Sequence, residues 1–297
     1  MKIHILLIII LHSVSLSNTF STSLGECNMQ IYDGEIAQIS ELVDLVKVEA
    51  DKLYKKLGEV ATRPFTIYIT ANMDDFNKQS NGPTPEWGIA IAKNNPDRII
   101  LKSLGIANIS FPRMKEVIIH ELNHIYMFRI PQYRSIASWF KEGMAMQSAN
   151  EFSLLHKIEI SQAIWRKKTI PLLRLQNISH YTYDKVKLAY GQSAAAVEAL
   201  EYYYGKKIIV NIIERMKNGY NFNDALKKES GENIIDFQIK FEIYLEENYN
   251  WIFLFSSAKH IYVVLPFILI IGFIYYRYRR KKIIAKWEIE EQLENTE

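Results

Sequence analysis

Cysteine is almost absent from this sequence, since Cys27 is the only one among 297 residues. A single thiol forms no intrachain disulfide, so any exported domain in this chain must depend on its hydrophobic core. Glu26 directly precedes Cys27, which argues against a lipidated N-terminus at that cysteine. The chain is therefore expected to fold without covalent cross-links.

An excess of charge of either sign is also missing. The 36 lysines and arginines nearly balance the 33 aspartates and glutamates, which gives a formal net charge of +3. Nucleic-acid-binding domains typically carry a pronounced basic surface, so this composition predicts no nucleic-acid partner.

Long hydrophobic runs are few, and the first, Ile5–Leu11, is short. It cannot cross a bilayer, because a spanning helix needs about 20 apolar residues. Lys2 precedes this run, and Ser15-Leu16-Ser17 follows it as a small-x-small cleavage site. We therefore predict a signal peptide over residues 1–17, with an uncleaved amphipathic start as the alternative.

The second apolar run covers residues 260–276 and contains no Lys, Arg, Asp or Glu. It meets the lower bound of about 17 residues for a spanning helix, and a basic cluster begins directly after it at Arg277. By the positive-inside rule, this cluster stays in the cytoplasm. The sequence thus predicts a transmembrane helix over 260–278 that contacts the lipid bilayer, and a cytoplasmic tail over 279–297. The main domain would lie outside the cell membrane in single-pass type I topology; a buried core helix is the alternative.

Between these two runs, the sequence predicts an α+β domain over residues 25–250. Apolar residues at helical spacing indicate a helix within 31–58, and alternating β-branched residues indicate a strand over 64–70. Two further β-rich runs, 87–93 and 98–102, are joined by four polar residues and predict a hairpin.

Helical patterns dominate the rest of the chain. One helix is expected to continue from Ala145 to about Trp165, with Glu151, His156 and Glu159 on a solvated face. Another is expected to include Tyr190, in a stretch that is rich in small residues.

The sequence His120-Glu121-Leu122-Asn123-His124 lies within an apolar helical pattern that begins near Ser110, a suitable N-cap. The two histidines are four residues apart, so on a helix they leave the same face and can bind one Zn²⁺. Glu121 lies one step round the helix, within reach of a water at the metal. The alternative is a helix with two surface histidines. The apolar flanks argue against it, because buried polar side chains need partners.

A third metal ligand is predicted within Trp139-Phe-Lys-Glu142-Gly-Met-Ala145. Pro131 should end the first helix, and Ser135 or Ser138 is expected to cap a second helix that packs antiparallel on it. Gly143 is expected to let these two helices approach closely. Catalytic zinc sites use three protein ligands and a water, so Glu142 can complete the set. Its alternative role is that of an ordinary carboxylate at a helix start.

Together these two motifs resemble the gluzincin metallopeptidases, the thermolysin-like superfamily, and especially its peptidase MA-like members. The resemblance implies a zincin-like, two-lobed fold with a small N-terminal mixed sheet, an active-site helix and a helical C-terminal subdomain. It also implies one Zn²⁺ held by His120, His124 and Glu142, with Glu121 as general base and acid. A peptide or protein would be the substrate.

Three positions separate this chain from related patterns. Metzincins are excluded, because Met127 and Ile130 stand where that family has a glycine and a third histidine. Gluzincins often carry a carboxylate four residues after the third ligand, where this chain has Met146. The acceptor that orients a histidine must therefore come from elsewhere, and the sequence does not identify it.

The same resemblance suggests residues that contact the substrate. Tyr190 is the first candidate, and His180 the second, for a donor to the oxyanion of the tetrahedral intermediate. Trp87, Gly88 and Ile89 are candidates for an edge strand that pairs with an extended peptide. The alternatives are a core or surface tyrosine and a purely structural hairpin.

The function predicted on these grounds is a membrane-anchored zinc metalloendopeptidase. The alternative is a catalytically inactive, membrane-tethered binding or scaffold protein that keeps the peptidase fold. The intact glutamate at position 121 argues against that alternative, since its loss is the simplest route to an inactive site.

Overall fold

The computed structural model describes residues 16–31, 38–82, 88–176, 178, 181, 183–255 and 258–294. For 16, 183–184, 253–255, 258–264 and 285–294 it describes the backbone only. The strands are β1 Leu16–Thr22, β2 Gly25–Ile31, β3 Phe65–Thr70, β4 Ala90–Lys93 and β5 Arg98–Lys102. The helices are α1 Ile39–Leu57, α2 Met73–Gln79, α3 Leu104–Ala107, α4 Phe111–Met127, α5 Ser138–Ser148, α6 Leu154–Trp165, α7 Tyr183–Tyr204, α8 Ile208–Lys217, α9 Phe222–Ser230, α10 Ile234–Tyr249 and α11 Ala258–Glu294.

The described strands form one mixed sheet in the order β1-β2-β3-β5-β4. The central strands β2, β3 and β5 are parallel, and the edge strands β1 and β4 are antiparallel to their neighbours. The predicted hairpin is confirmed, because β4 pairs with β5 from Ala90–Leu101 to Lys93–Arg98. The hairpin therefore leaves β4 as one edge of the sheet.

The sheet begins at Leu16, ahead of the predicted domain start at residue 25. Ser17 donates a hydrogen bond to Asn28 across the first strand pair (3.0 Å), so the predicted cleavage point before Asn18 lies inside β1. Residues 1–15, which include most of the predicted signal peptide, lie outside the described residues. The signal peptide and the export of the domain stay predictions.

Helix α4 is fixed against its neighbours at its C-terminal end. The hydroxyl of Tyr126 donates to the carbonyl of Leu57 at the end of α1 (2.7 Å). The fully buried guanidinium of Arg129 donates to Asp97 in the β4–β5 turn (3.3 Å) and to the carbonyl of Arg63 (3.0 Å). Because a buried charge is tolerated only when it is paired, this contact ties the end of α4 to the turn of the edge hairpin.

Helix α5 begins at Ser138 without the predicted serine cap. Its N-cap is Ala137, which makes no side-chain hydrogen bond. Ser135 instead ends a short 3₁₀ turn, and its hydroxyl accepts a hydrogen bond from the N–H of Phe222 at the start of α9 (3.0 Å). The serine was therefore correctly placed near a helix start, but it contacts a helix that is distant in sequence.

The fold that we predicted is wrong in its last element, the transmembrane helix over 260–278. Among the described residues, no helix combines the length and the apolar character that crossing a bilayer requires. Helix α11 is continuous, but the cluster that begins with Arg277 and Arg279 lies within it rather than after it. The predicted contact of this helix with the lipid bilayer is therefore not supported.

Candidate metal centre

Two imidazoles project from one face of α4. Ser110 caps this helix by accepting from the N–H of Arg113 (3.4 Å), and Pro112 lies in the first turn, where a missing N–H costs nothing. His120 and His124 are one turn apart, with ring centroids separated by 5.1 Å. Both side chains are largely buried, with 12% and 13% of their surface exposed.

Helix α5 brings Glu142 to these two rings. Its Oε2 atom lies 3.4 Å from Nε2 of His120 and 3.5 Å from Nε2 of His124. One ligand atom from each of the three residues lies within 4.8 Å of the others, so the three can hold one metal ion. The structure thus brings together the three residues that the sequence suggested as ligands.

The donor set fits a metal ion better than it fits a hydrogen-bonded cluster. Oε2 of Glu142 is buried and has no hydrogen-bond partner among the described residues. Unsatisfied buried carboxylate oxygens are costly. Ligands around a tetrahedral zinc at about 2.0–2.1 Å lie about 3.3–3.4 Å from one another. The two nitrogen–oxygen distances match that spacing and exceed those of strong charged hydrogen bonds, about 2.7–2.9 Å.

The electrostatics of the cluster favour an ionised Glu142. Burial acts to raise its pKa, but His124 and His120 outweigh burial and hold the pKa of Glu142 well below its usual range. Burial likewise acts to lower the pKa of His120, but its contacts with Glu142 and Glu151 raise that pKa well above the ordinary value. The negative charge of Glu142 is therefore stabilised by the two imidazoles that it faces.

Glu121 lies beside the cluster and lines two cavities that both include His120. Its side chain is buried, and burial raises its pKa despite the opposing attraction of His124 and His120. A carboxylate with a raised pKa accepts and releases a proton more readily near neutral pH than an exposed one.

Glu151 is the site residue that the sequence interpretation missed. We predicted a single helix from Ala145 to about Trp165 with Glu151 on its solvated face. The structure instead ends α5 at Ser148 and begins α6 at Leu154, and the Glu151 side chain is only 8% exposed. Its Oε2 lies 2.7 Å from Nδ1 of His120.

Two sequence signals for this helix break were present. Asn150 adopts a left-handed backbone conformation (φ 55°), which asparagine tolerates better than most residues. Ser153 precedes α6 and forms a capping box with His156. Asparagine after a helix and serine before the next are ordinary stop and start signals, so the break could have been found from sequence.

Gly143 makes a different contact from the one predicted. We expected it to bring α5 close to α4. A Cβ at this position would instead lie 2.3 Å from the carbonyl oxygen of Ser193 and 2.7 Å from Val197, both on α7. The glycine therefore allows α5 to pack against α7, the helix that carries Tyr190.

Tyr190 projects from α7 towards the cluster. Its ring centroid lies 6.3 Å from that of His120, and the residue lines the same two cavities as Glu121. The negative charge of Glu142, followed by burial, raises the pKa of Tyr190 well above its ordinary value. The phenol therefore keeps its proton. His180, the second candidate for this position, lies outside the described residues.

The cleft runs along edge strand β4. One cavity of about 210 Å³ includes Gly88, Ile89 and Val117, and a second of about 240 Å³ includes Ile91, Phe128 and Lys141. Both contain His120 and Glu121. Gly88 and Ile89 are thus placed beside the cluster, whereas Trp87 lies outside the described residues.

The chain is similar to a known protein family and, more distantly, to several solved structures. The family model of the Peptidase MA superfamily matches residues 47–247, which is more than half of the chain. Among solved structures, an M1 zinc metallopeptidase from Deinococcus radiodurans is similar at 12% identity with a TM-score of 0.44, over 78% of this chain and 52% of the other. Legionella pneumophila aminopeptidase A in complex with aspartic acid is similar at 15% identity with a TM-score of 0.44, over 77% and 28%.

The chain spans about half the length of the M1 metallopeptidases to which it is similar. No curated protein matches it.

Proposed function

Because this chain belongs to the Peptidase MA superfamily, we propose that it is a zinc metallopeptidase that hydrolyses internal peptide bonds. Family membership supports a metallopeptidase hydrolase, and the geometry of the three candidate ligands supports a metal centre. The observation that carries the proposal is the convergence of His120, His124 and Glu142, with Glu121 beside them.

Each residue of the centre has a distinct part in this proposal. His120, His124 and Glu142 hold the ion through two nitrogens and one carboxylate, the ligand types that catalytic zinc sites use. When bound, zinc lowers the pKa of water towards 7 and polarises a carbonyl group. All three ligand side chains are largely buried, and each lines the cavity in which a substrate and the attacking water would meet.

Glu121 moves the proton in this proposal. It is one residue from His120, so it leaves the helix beside the ligands rather than towards the ion. It takes a proton from the attacking water and delivers it to the leaving amine. Its burial, which raises its pKa, makes that exchange easier near neutral pH.

Tyr190 stabilises the substrate oxygen in this proposal. Negative charge develops on the carbonyl oxygen as water attacks, and a hydrogen-bond donor aimed at that oxygen lowers the barrier. The raised pKa keeps the Tyr190 hydroxyl protonated, and its position in the lining of both cavities supports this role.

Edge strand β4 offers a place for an extended substrate. A peptide can add to a sheet edge through backbone hydrogen bonds, with side chains entering pockets on alternate positions. β4 lines the cleft at Ala90, Ile91 and Ala92, and Gly88 and Ile89 precede it there. The two cavities share His120 and Glu121 and together follow the strand from Gly88 to Ala92, so an extended chain can continue past the cluster in both directions, which favours an endopeptidase.

The test is the variant Glu121→Gln in the full-length chain. It is expected to keep about one zinc per chain and to lose nearly all hydrolysis of an unstructured protein such as casein, because only the proton carrier is removed. Glu116→Gln is the matched control, since Glu116 is a partly exposed carboxylate on the same helix.

The control is expected to bind zinc and cleave as the unchanged protein does. Normal cleavage by Glu121→Gln would contradict the mechanism. Stoichiometric zinc without hydrolysis in the unchanged protein would instead favour the inactive binding or scaffold protein.

A further inference from the structure

We propose that Glu151 orients His120 towards the metal and that Arg113 holds Glu151 in position. Glu151 would thereby replace the carboxylate that gluzincins often carry at the position of Met146. This inference rests on the proposed function, because it assigns the positioning residue of the same centre. It concerns two residues that sequence patterns did not connect with the site.

The first step is the contact between Glu151 and His120. The two ring nitrogens of His120 face different partners, Nδ1 at 2.7 Å from Oε2 of Glu151 and Nε2 at 3.4 Å from Glu142. A histidine that donates its Nδ1–H to a carboxylate presents the lone pair of Nε2 to a metal. The carboxylate thus selects the tautomer and fixes the ring orientation that metal binding requires.

The second step is the contact between Glu151 and Arg113. Nη1 of Arg113 lies 2.6 Å from Oε1 of Glu151, so the two carboxylate oxygens have different partners. Arg113 is seven residues before His120, about two helical turns, and thus shares its face of α4. The guanidinium and the imidazole therefore fix Glu151 from the same helix.

The third step is the backbone that delivers Glu151. Asn150 takes the left-handed conformation directly after α5. Its N–H donates to the carbonyl of Gln147 (3.2 Å), and the N–H of Glu151 donates to the carbonyl of Met146 (2.9 Å). These two bonds form a Schellman motif, which fixes the first residues beyond a helix. Glu151 is thus held by backbone hydrogen bonds as well as by its side chain.

The fourth step is what stands one turn after Glu142. Met146 occupies that place, is buried and lines the cavity that also contains His120 and Glu151. A thioether is at best a weak acceptor, so it cannot orient an imidazole as a carboxylate does. The helix break nearby allows a later residue to take over this role.

The test compares Glu151→Gln with Glu116→Gln in the full-length chain. Both changes replace a carboxylate that contacts Arg113, but only Glu151 reaches His120. Glu151→Gln is expected to weaken zinc binding by about 10–100-fold, measured by competition with a chromophoric chelator, because outer partners of metal ligands typically contribute that much. Glu116→Gln is expected to leave the affinity unchanged.

Two further readouts separate positioning from a purely structural role. At saturating zinc, Glu151→Gln is expected to lower kcat with little change in KM, because the substrate contacts stay in place. The visible absorption bands of the cobalt(II)-loaded protein are expected to shift in Glu151→Gln and not in Glu116→Gln, since they report the ligand geometry.

If Glu151→Gln does not fold, the variant Arg113→Gln tests the inference instead. It is expected to weaken zinc binding as well, but by less than Glu151→Gln would. Zinc affinity and cobalt bands equal to those of the unchanged protein, in whichever of these variants folds, would overturn the inference alone. Failure of the unchanged protein to bind zinc would overturn the proposed function together with it.

Discussion

Gly143 and Ser193 lie so close together that a Cβ on Gly143 would stand 2.3 Å from the carbonyl oxygen of Ser193. This contact sets the separation of α5 and α7. It therefore also fixes Glu142, the neighbour of Gly143, relative to Tyr190, which lies one turn before Ser193 on α7.

Gly143→Ala is expected to destabilise the protein by about 1–3 kcal/mol, because the added methyl group meets backbone that cannot turn aside. Denaturant unfolding measures the loss. Cys27 offers an independent probe, since it is the only cysteine and fully buried, so thiol labelling reports opening of the core. Gly105→Ala is the control, because a Cβ there meets no atom of the described residues within 4 Å. Equal stability of both variants would contradict the assigned contact.

Glu142→Gln is expected to reduce zinc affinity by more than about 100-fold, since a direct ligand contributes more than the outer partners, which give 10–100-fold. The amide removes the negative charge that the two histidines stabilise and supplies a weaker donor. Chelator competition measures the change, with Glu116→Gln again as the matched substitution. Unaltered zinc binding would mean that Glu142 is only a carboxylate near a helix start.

Tyr190→Phe is expected to lower kcat by about 10²–10³-fold, the usual effect of removing one oxyanion donor, with zinc content retained. KM should change little, because the hydroxyl acts on charge that develops only in the transition state. Steady-state hydrolysis of a fluorogenic peptide separates the two constants. Tyr202→Phe on the same helix is the control, since that side chain is 62% exposed. A wild-type kcat for Tyr190→Phe would return this tyrosine to a packing role.

Local patterns were the most dependable part of the sequence interpretation. The spacing of His120 and His124 places both rings on one helical face wherever that helix packs. The β4–β5 hairpin follows from two β-rich runs and a short polar turn. The C-terminal apolar run shows the limit of such patterns: its length suggested a spanning helix, whereas the basic residues lie within the same continuous helix.

The sequence by itself determined which chemical groups the candidate centre offers, because the imidazoles of His120 and His124 and the carboxylates of Glu142 and Glu121 are properties of the residues. Only the tertiary structure decided how that centre is supported. Glu151 lies 31 residues after His120 in the sequence but contacts it in the fold. The chain reaches this position because the helix ends before Asn150, and Arg113 pairs with the carboxylate of Glu151 there. The packing of α5 on α7 through Gly143 was likewise beyond local reasoning. Periodicity identifies the face that a residue occupies, whereas the partner of that face depends on how the whole chain packs.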